Sequence, residues 1–440
     1  MLFARAERSF RHGVHPPQHK VETRDQPIRQ FPFAPVMIVP LQQHLGKAAR
    51  PIVREGQEVT RGECIAEADG FISVAMHAPA SGTVQRLALA PAVTGRMVPA
   101  VYLRPYPASS QQTPVRPGCR PDAEPEAIIA AIQQAGIVGL GGAAFPTHAK
   151  LRPPPGLHLD TLILNGVECE PFLTTDHRVM LEQADDVITG IRYLLRASGA
   201  REAVIGIEAN KLDAVEALRA AIPDDLPARV EVLSVKYPQG AEKMLISALM
   251  GREVPSGGLP AAVGAVVVNV ATCAEIGHLL PRGQGIQERV ITIAGPAVRR
   301  PGNYRIPIGT PLRFALDHAG LDDDAGRVFL GGPMMGQTLP SLDVPITKGT
   351  SGFVAFPAED MPREYPCINC GYCVEACPLF LNPAQLGRLA AAGRYDEMLE
   401  HDILDCFECG SCTYACPAHI PLVQRFRGAK SLLRKRRSAA

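Results

Sequence analysis

No apolar run in this 440-residue sequence approaches the ~20 residues that a membrane-spanning helix needs. The longest, around Ala261–Ala271, is about half that length, which predicts a soluble or peripheral protein. The N-terminus, Met1-Leu-Phe-Ala-Arg-Ala-Glu-Arg8, carries charge but no apolar stretch, so no signal peptide is expected. An excess of one charge is also missing. With Lys+Arg 45 against Asp+Glu 44, no global field points to nucleic acid, and any charge argument must be local. Cysteine is scarce outside one region: Cys64, Cys119, Cys169 and Cys273 lie in unrelated contexts. That argues against a disulfide framework and for a reducing, cytoplasmic compartment. Tryptophan is absent altogether, and nothing follows from it.

The other eight cysteines are concentrated at the C-terminal end, and they organise the reading of the chain. The sequence runs Cys367-Ile-Asn-Cys370-Gly-Tyr-Cys373-Val-Glu-Ala-Cys377-Pro378 and, after a spacer, Cys406-Phe-Glu-Cys409-Gly-Ser-Cys412-Thr-Tyr-Ala-Cys416-Pro417. Two copies of CxxCxxCxxxCP suit two [4Fe–4S] clusters. Three closely spaced thiolates wrap one cluster, and the fourth, turned away by its Pro, reaches the other. On that pattern Cys367, Cys370, Cys373 and Cys416 hold one cluster, and Cys377, Cys406, Cys409 and Cys412 hold the second. Zinc also accepts paired CxxC units, but it gives no reason for a third regularly spaced Cys or for a Pro after each fourth one.

The length allows roughly three domains of ~150 residues. Residues 1–30 are rich in His, Pro, Gln and Arg and read as an extended arm packed on its neighbours. Residues 31–106 show short β segments punctuated by Gly and Pro, the texture of a small barrel or sandwich. This stretch resembles the barrel-sandwich domains that carry lipoate or biotin, but Glu67-Ala68-Asp69 is followed by Gly70 where those domains place the attachment Lys. Without the amine no amide can form, which leaves a docking or structural role. Pro107–Gly118 is a linker rich in Pro, Ser and Gln.

From 118 to 285 strands alternate with helices. Ala127–Gln134, Arg178–Arg196 (closed by Gly199), Leu212–Ala221 and Glu242–Met250 read as helices. Thr161–Leu164, Ala203–Glu208, Arg229–Lys236 and Ala265–Val270 read as strands. Repeated βα units imply a parallel sheet with ligands at its C-terminal strand ends. Residues 286–357, with strands at Val290–Ala294, Pro301–Pro307 and Val328–Leu330 and a helix at Pro311–His318, resemble the soluble-ligand-binding β-grasp domain. Residues 358–424 form an α-helical two-cluster domain, with helix-like Gln385–Ala392 and Asp396–His401 between the motifs. The basic residues of 425–440 (Arg425, Arg427, Lys430, Arg434, Lys435, Arg436 and Arg437) read as a solvated tail able to touch an anionic membrane surface. The fold class is therefore a multidomain α/β protein.

Gly139-Leu-Gly141-Gly142-Ala-Ala144 satisfies GxGxx[G/A] formally, but it follows a helix and runs into Pro146, whereas the dinucleotide fingerprint leaves a strand and opens a helix. Nor is it a P-loop, because Lys150 lies in another frame with no Ser or Thr after it. Three further clusters follow strands of the same domain: Asn165-Gly-Val-Glu168-Cys-Glu170-Pro171, Tyr237-Pro-Gln-Gly240-Ala-Glu242-Lys243 and Asn269-Val-Ala-Thr272. With the glycine loop they converge on one end of the sheet. There, backbone unencumbered by Cβ atoms admits phosphate and flat rings, and Lys150 can neutralise phosphate.

At these four clusters the chain resembles the NADH- and flavin-binding subunit of respiratory complex I, whose glycine loop reads like GRGGAGFPTGxK. The resemblance implies FMN contacted by Gly139, Gly141, Gly142, Lys150, Asn165, Glu168, Tyr237, Gly240 and Asn269. It also implies NADH stacked over the flavin near Phe145, with Glu170 and Glu242 close by. The flavin carries the chemistry, and no side-chain acid or base is expected. The sequence departs from that family at Val167, at Ala241 and at Leu151-Arg-Pro, which bear on the nicotinamide site more than on the flavin site.

The domain order adds an N-terminal arm like FxGGxHPPxxK (Phe10 to Lys20, with His12 in place of a Gly). As a whole it is similar to the C subunits of the Rnf ion-translocating NAD:ferredoxin oxidoreductases over nearly the full chain. That resemblance implies the electron-input subunit of a membrane-associated complex, peripheral on the cytoplasmic face of the bacterial inner membrane. Electrons would pass between NADH and ferredoxin-type carriers through FMN and two [4Fe–4S] clusters, and membrane subunits of the same complex would move the ion. Two other readings stand beside it: a soluble flavin and iron–sulfur reductase like the cobalamin reductase of propanediol-utilising compartments, and a cluster scaffold that has lost NADH binding.

Overall fold

The computed structural model describes residues 8–359 and 362–439. The expectation about the first residues of the chain falls mostly on 1–7, outside this range.

Residues 31–106 form the expected small β structure. An antiparallel sheet runs Met37–Pro40, Met97–Pro105, Gly82–Pro91, Glu58–Val59, and a second runs Arg50–Pro51, Cys64–Glu67, Met76–His77. Met37, Val39, Ile65, Met76, Val84, Val101 and Leu103 fill the space between them.

The central domain is built on four parallel strands in the order Ala228–Leu233, Glu202–Glu208, Thr161–Asn165, Ala265–Asn269. Thr161–Asn165 and Ala265–Asn269 are buried on both faces along their apolar run, as suits parallel strands covered by helices on either side. The chain builds outward from Thr161–Asn165 on one side and then returns to place Ala265–Asn269 on the other. The gap beyond these two strand ends is thus the topological switch point, where ligands of open α/β sheets bind. The helix expected over Arg178–Arg196 is two: Thr175–Glu182 and Ala184–Ser198, broken at Gln183 (φ −132°). Glu182 is drawn toward the arm, where its carboxylate accepts from the backbone N–H of Ile28. The strand expected over Arg229–Lys236 ends at Leu233, freeing the following residues to form a loop.

Residues 288–357 fold as a sheet around the helix Leu312–Ala319, with Ile291, Ile293, Tyr304, Ile306, Leu316 and Phe353 in the core. Arg29–Gln30 of the arm adds an edge strand parallel to Gly302–Pro307.

In the C-terminal domain the two cysteine motifs fold alike. Asn369 and Glu408 are both left-handed (φ 56° and 64°), and Gly371 and Gly410 (φ 84° and 83°) open the short helices Tyr372–Glu375 and Ser411–Tyr414. These glycines matter because an L side chain disfavours that φ. Pro383–Ala391 is the expected helix. Asp396–His401 is instead a run of turns closed by i→i−3 bonds, such as Leu399 N–H to Asp396 O at 3.1 Å. The basic end is not a free tail. Leu422–Ala439 is one helix, and its Phe426, Ala429 and Leu433 are buried with Leu386, Leu389, Met398 and Ile403. The 3.6-residue spacing of those apolar positions explains the packing. No helix of the described residues is long and apolar enough to cross a membrane.

Candidate functional site

The strand ends bring Asn165 and Asn269 into register as paired neighbours. Asn269 caps the helix Val270–Leu279, its Oδ1 accepting from the N–H groups of Ala271 (3.0 Å) and Thr272 (3.2 Å), the ordinary role of Asn at that position. Its Nδ2 donates to Asp176 at 2.7 Å. Asn165 donates to the carbonyl of Gly240 at 2.8 Å and accepts from Val167 N–H. The glycine loop lies over this edge. Leu140 N–H donates to Thr272 Oγ1 at 2.9 Å, and Leu140 O accepts from the fully buried Arg289 at 3.0 Å. A Cβ at Gly141 would stand 3.3 Å from Asn269 Nδ2, and one at Gly240 would stand 3.3 Å from Cys169 Sγ, whereas a Cβ at Gly142 meets nothing. The glycines therefore either let two loops close together or leave backbone open to a ligand.

The twelve residues expected at the cofactor crevice divide into three groups. Gly139, Gly141, Gly142, Asn165, Gly240 and Asn269 form the edge just described. Phe145, Lys150 and Glu242 line a cavity of about 240 Å³ floored by Leu259–Ala261 and Ala265–Val267. Within it Lys150 pairs with Glu242 at 2.9 Å, both part-exposed. Glu168, Glu170 and Tyr237 point instead toward the rest of the molecule. The Glu168 carboxylate accepts from the N–H groups of Asp176 (2.7 Å) and His177 (3.3 Å) and lies 3.8 Å from Lys20. Glu170 accepts from Met334 and Met335 N–H of the β-grasp domain, and burial raises its pKa above the usual carboxylate range. Asp176, beneath the edge, is pushed up to about 7, first by burial and then by the neighbouring Glu168.

Glycines that open backbone to a flat ring, two amide side chains at the switch point and a lysine within the adjoining cavity suit a phosphorylated flavin. Asp176 and Arg289 escaped the sequence reading. Neither belongs to a recognisable motif, and only the fold brings them, with Lys20 of the arm motif, under the loops.

The structure brings the eight cysteines together in two groups of four. Cys367, Cys370, Cys373 and Cys416 line a cavity of about 290 Å³. Cys377, Cys406, Cys409 and Cys412 surround a smaller one of about 20 Å³, closed by Leu386, Val423 and Phe426. Among the described residues no three His, Cys, Asp or Glu side chains converge on a single point as ligands of one ion do. Four thiols gathered around each space are a donor set of the kind that thiolate-bound iron–sulfur groups use. Burial raises the pKa of Cys406 to about 11 and moves Cys373, Cys377, Cys409 and Cys412 in the same direction, so metal binding to these thiols releases protons.

The two cysteine groups face opposite ways. Cys367 and Cys370 are exposed, beside the exposed Ile368, Tyr365 and Tyr372. The other group is turned inward: the Tyr237 hydroxyl donates to Cys409 O at 2.6 Å, and Lys430 donates to Cys406 O at 2.7 Å. A residue expected at the flavin thus touches the backbone of a residue expected at a cluster.

Comparison with known families and proteins follows this division of the chain. The RnfC barrel sandwich hybrid domain matches residues 8–106, the Nuo51 FMN-binding domain 132–278, the SLBB domain 290–338 and the 4Fe-4S dicluster domain 366–421. The C subunit of the proton-translocating ferredoxin:NAD(+) oxidoreductase complex of Clostridium ljungdahlii is 43% identical over 96% of this chain and 94% of its own. Its counterpart in the Na(+)-translocating complex of Acetobacterium woodii is 41% identical over 96% of both. The counterpart in the ion-translocating oxidoreductase complex of Rhodobacter capsulatus is 41% identical over 98% of this chain and 84% of its own. Among solved structures, the NAD+-reducing [NiFe]-hydrogenase in its H2-reduced state shares the fold. Its TM-score is 0.51 at 22% identity, over 69% of this chain and 61% of that one, so the match spans less than two thirds of the hydrogenase chain.

Proposed function

This chain belongs to the family of C subunits of ion-translocating ferredoxin:NAD(+) oxidoreductase complexes, and from that premise we propose that it is the electron-input subunit of such a complex. It passes electrons between NADH and a ferredoxin-type carrier through one FMN and two [4Fe–4S] clusters. FMN supplies the exchange between two-electron hydride chemistry and one-electron transfer. The observation that carries the reading is the Tyr237 hydroxyl bonded to Cys409 O, which joins the loop leading to Gly240 to the backbone of the inner cysteine group.

The chain's own residues then have distinct tasks. Gly139, Gly141 and Gly142 admit the flavin to the backbone, Asn165 and Asn269 hold the strand ends that receive it, and Lys150 counters phosphate charge. Phe145 and Glu242 line the approach for NADH. Glu168 and Glu170 act through the loops they brace: Glu168 ties its loop to the helix Thr175–Glu182, and Glu170 ties it to Met334 and Met335. Cys377, Cys406, Cys409 and Cys412 would hold the inner cluster. Cys367, Cys370, Cys373 and Cys416 hold the outer one, whose exposed Cys367 and Cys370 suit onward transfer to a partner protein. Association with the membrane is peripheral, on the cytoplasmic face, through the membrane subunits that move the ion.

The test is an anaerobic NADH titration of the reconstituted chain, with FMN and iron quantified and flavin and cluster absorbance followed. The proposal expects about one FMN per chain, bleached by NADH, followed by partial cluster bleaching. Reduction of flavin and clusters by dithionite but not by NADH overturns it in favour of a scaffold whose electrons enter elsewhere.

A further inference from the structure

The N-terminal arm touches both halves of the electron path. Arg8 pairs with Leu233 at the edge of the parallel sheet. Val14 and Tyr237 exchange both backbone hydrogen bonds, at 2.8 and 2.9 Å. Between these points the arm leans on the cluster domain. Gly13 N–H donates to Ala376 O at 3.3 Å, and His12 Nδ1 donates to Cys377 O at 3.2 Å with its ring 4.4 Å from Phe380. A carbonyl only accepts, so this contact places the proton of His12 on Nδ1. Further along, Lys20 Nζ donates to the carbonyls of Glu168 and Leu173, each at 2.6 Å. The chain leading into the cluster domain, 362–371, carries neither helix nor strand, so side contacts decide how that domain sits. Tyr237 reaches the inner cysteine group at Cys409, and the arm reaches it at Cys377.

We infer that this arm is a clamp setting the separation of the flavin crevice and the inner cluster, with His12 and Val14 as positioning residues. The inference rests on the electron-input reading, because only electron transfer makes that separation consequential. Tunnelling between fixed centres decays exponentially with distance, so a loosened clamp slows transfer between the cofactors while leaving the hydride step alone.

Two variants of the full chain test it. In Gly13→Ala the new Cβ would lie 2.6 Å from Tyr237 O at a φ of +87°, forcing the arm off the Tyr237 loop. His12→Gly keeps the left-handed backbone and removes only the imidazole. Two readouts are needed: amide hydrogen exchange over residues 372–380, and stopped-flow reduction by NADH, in which flavin bleaching and cluster bleaching are separate phases. Gly13→Ala should raise exchange over 372–380, keep the flavin phase within about twofold and slow the cluster phase about tenfold, a factor that corresponds to about 1.4 kcal/mol. His12→Gly should shift both readouts the same way by about threefold, or some 0.65 kcal/mol. A raised exchange with an unchanged cluster phase overturns the clamp, and so does unchanged exchange in both variants. If the unaltered chain shows no flavin phase, the electron-input reading fails by itself, and the exchange comparison still decides whether the arm holds the domain.

Discussion

Asp176 shows how one buried carboxylate couples the site to pH. It sits under the crevice edge, receives Asn269 Nδ2 and lies beside Glu168, and its pKa of about 7 compares with about 3.9 in an unfolded chain. The folded state therefore holds the proton more tightly. The resulting stability is fully present below about pH 4 and is lost as pH rises through about 7. Three pKa units at about 1.4 kcal/mol each would set a ceiling near 4 kcal/mol, and sharing the field with Glu168 brings the expected loss to about 2. Asp176→Asn keeps an acceptor for Asn269 and removes the charge. Thermal unfolding at pH 5 and pH 8 should show the unaltered chain losing stability between them and the variant losing much less; parallel losses would exclude Asp176 as the cause. This residue was invisible in the sequence, because the helix was expected to begin only at Arg178, and the structure starts it at Thr175. The sequence singled out Glu168, but the partners of its side chain were not legible, since Lys20 lies 148 positions away.

At the scale of elements, two helices decide whether the crevice exists. Ala184–Ser198 and Val270–Leu279 cross at Gly190 and Gly277, where a Cβ would overlap the carbonyls of Cys273 and Asp186 respectively. The second helix begins with Asn269 and carries Thr272, which grips the glycine loop. Gly190→Ala should destabilise the domain by about 2–3 kcal/mol, as overpacked cores do, and lower flavin retention in parallel; a lower melting temperature with full flavin retention would separate the two. The cysteine motifs make a second prediction at this scale. Cys370→Ser and Cys416→Ser should remove the same cluster although they lie in different motifs, and Cys377→Ser should match Cys409→Ser. Each variant should lose about half the iron, with one EPR signal missing per pair. Grouping by motif instead of by cavity would overturn the crossed assignment.

At the scale of the whole molecule, the cysteine-motif domain is held against the central sheet domain and the β-grasp domain by side contacts. Tyr237 contacts Cys409 O and lies near Glu170, whose carboxylate receives Met334 and Met335 N–H from the β-grasp domain. Burial, followed by the nearby Glu170, raises the Tyr237 pKa well above its usual value, so its hydroxyl stays a donor. Tyr237→Phe removes that donor and should slow cluster reduction in stopped-flow about tenfold, the effect of about 1.4 kcal/mol. An unchanged cluster phase would show that the domains are held by the remaining contacts. The basic C-terminus also takes its meaning at this scale. Read linearly, its charges suggest a solvated tail, but Lys430 and Arg427 bond within the molecule to Cys406 O and Met335 O.

What the sequence by itself determined was whatever is encoded at short range. The cysteine spacing divided the eight thiols into the two sets of four that line separate cavities, and the alternation of apolar strands and helices gave the parallel sheet. Each depends on a few neighbouring residues whose geometry the backbone dictates. The tertiary structure alone decided the break at Gln183, the turns over Asp396–His401, the docking of the final helix, the acidity of Asp176 and the contacts of Tyr237 and the N-terminal arm with the cysteine motifs. Most of these arise from contacts between residues distant along the chain, where burial and partner choice, which no local pattern records, set the energy.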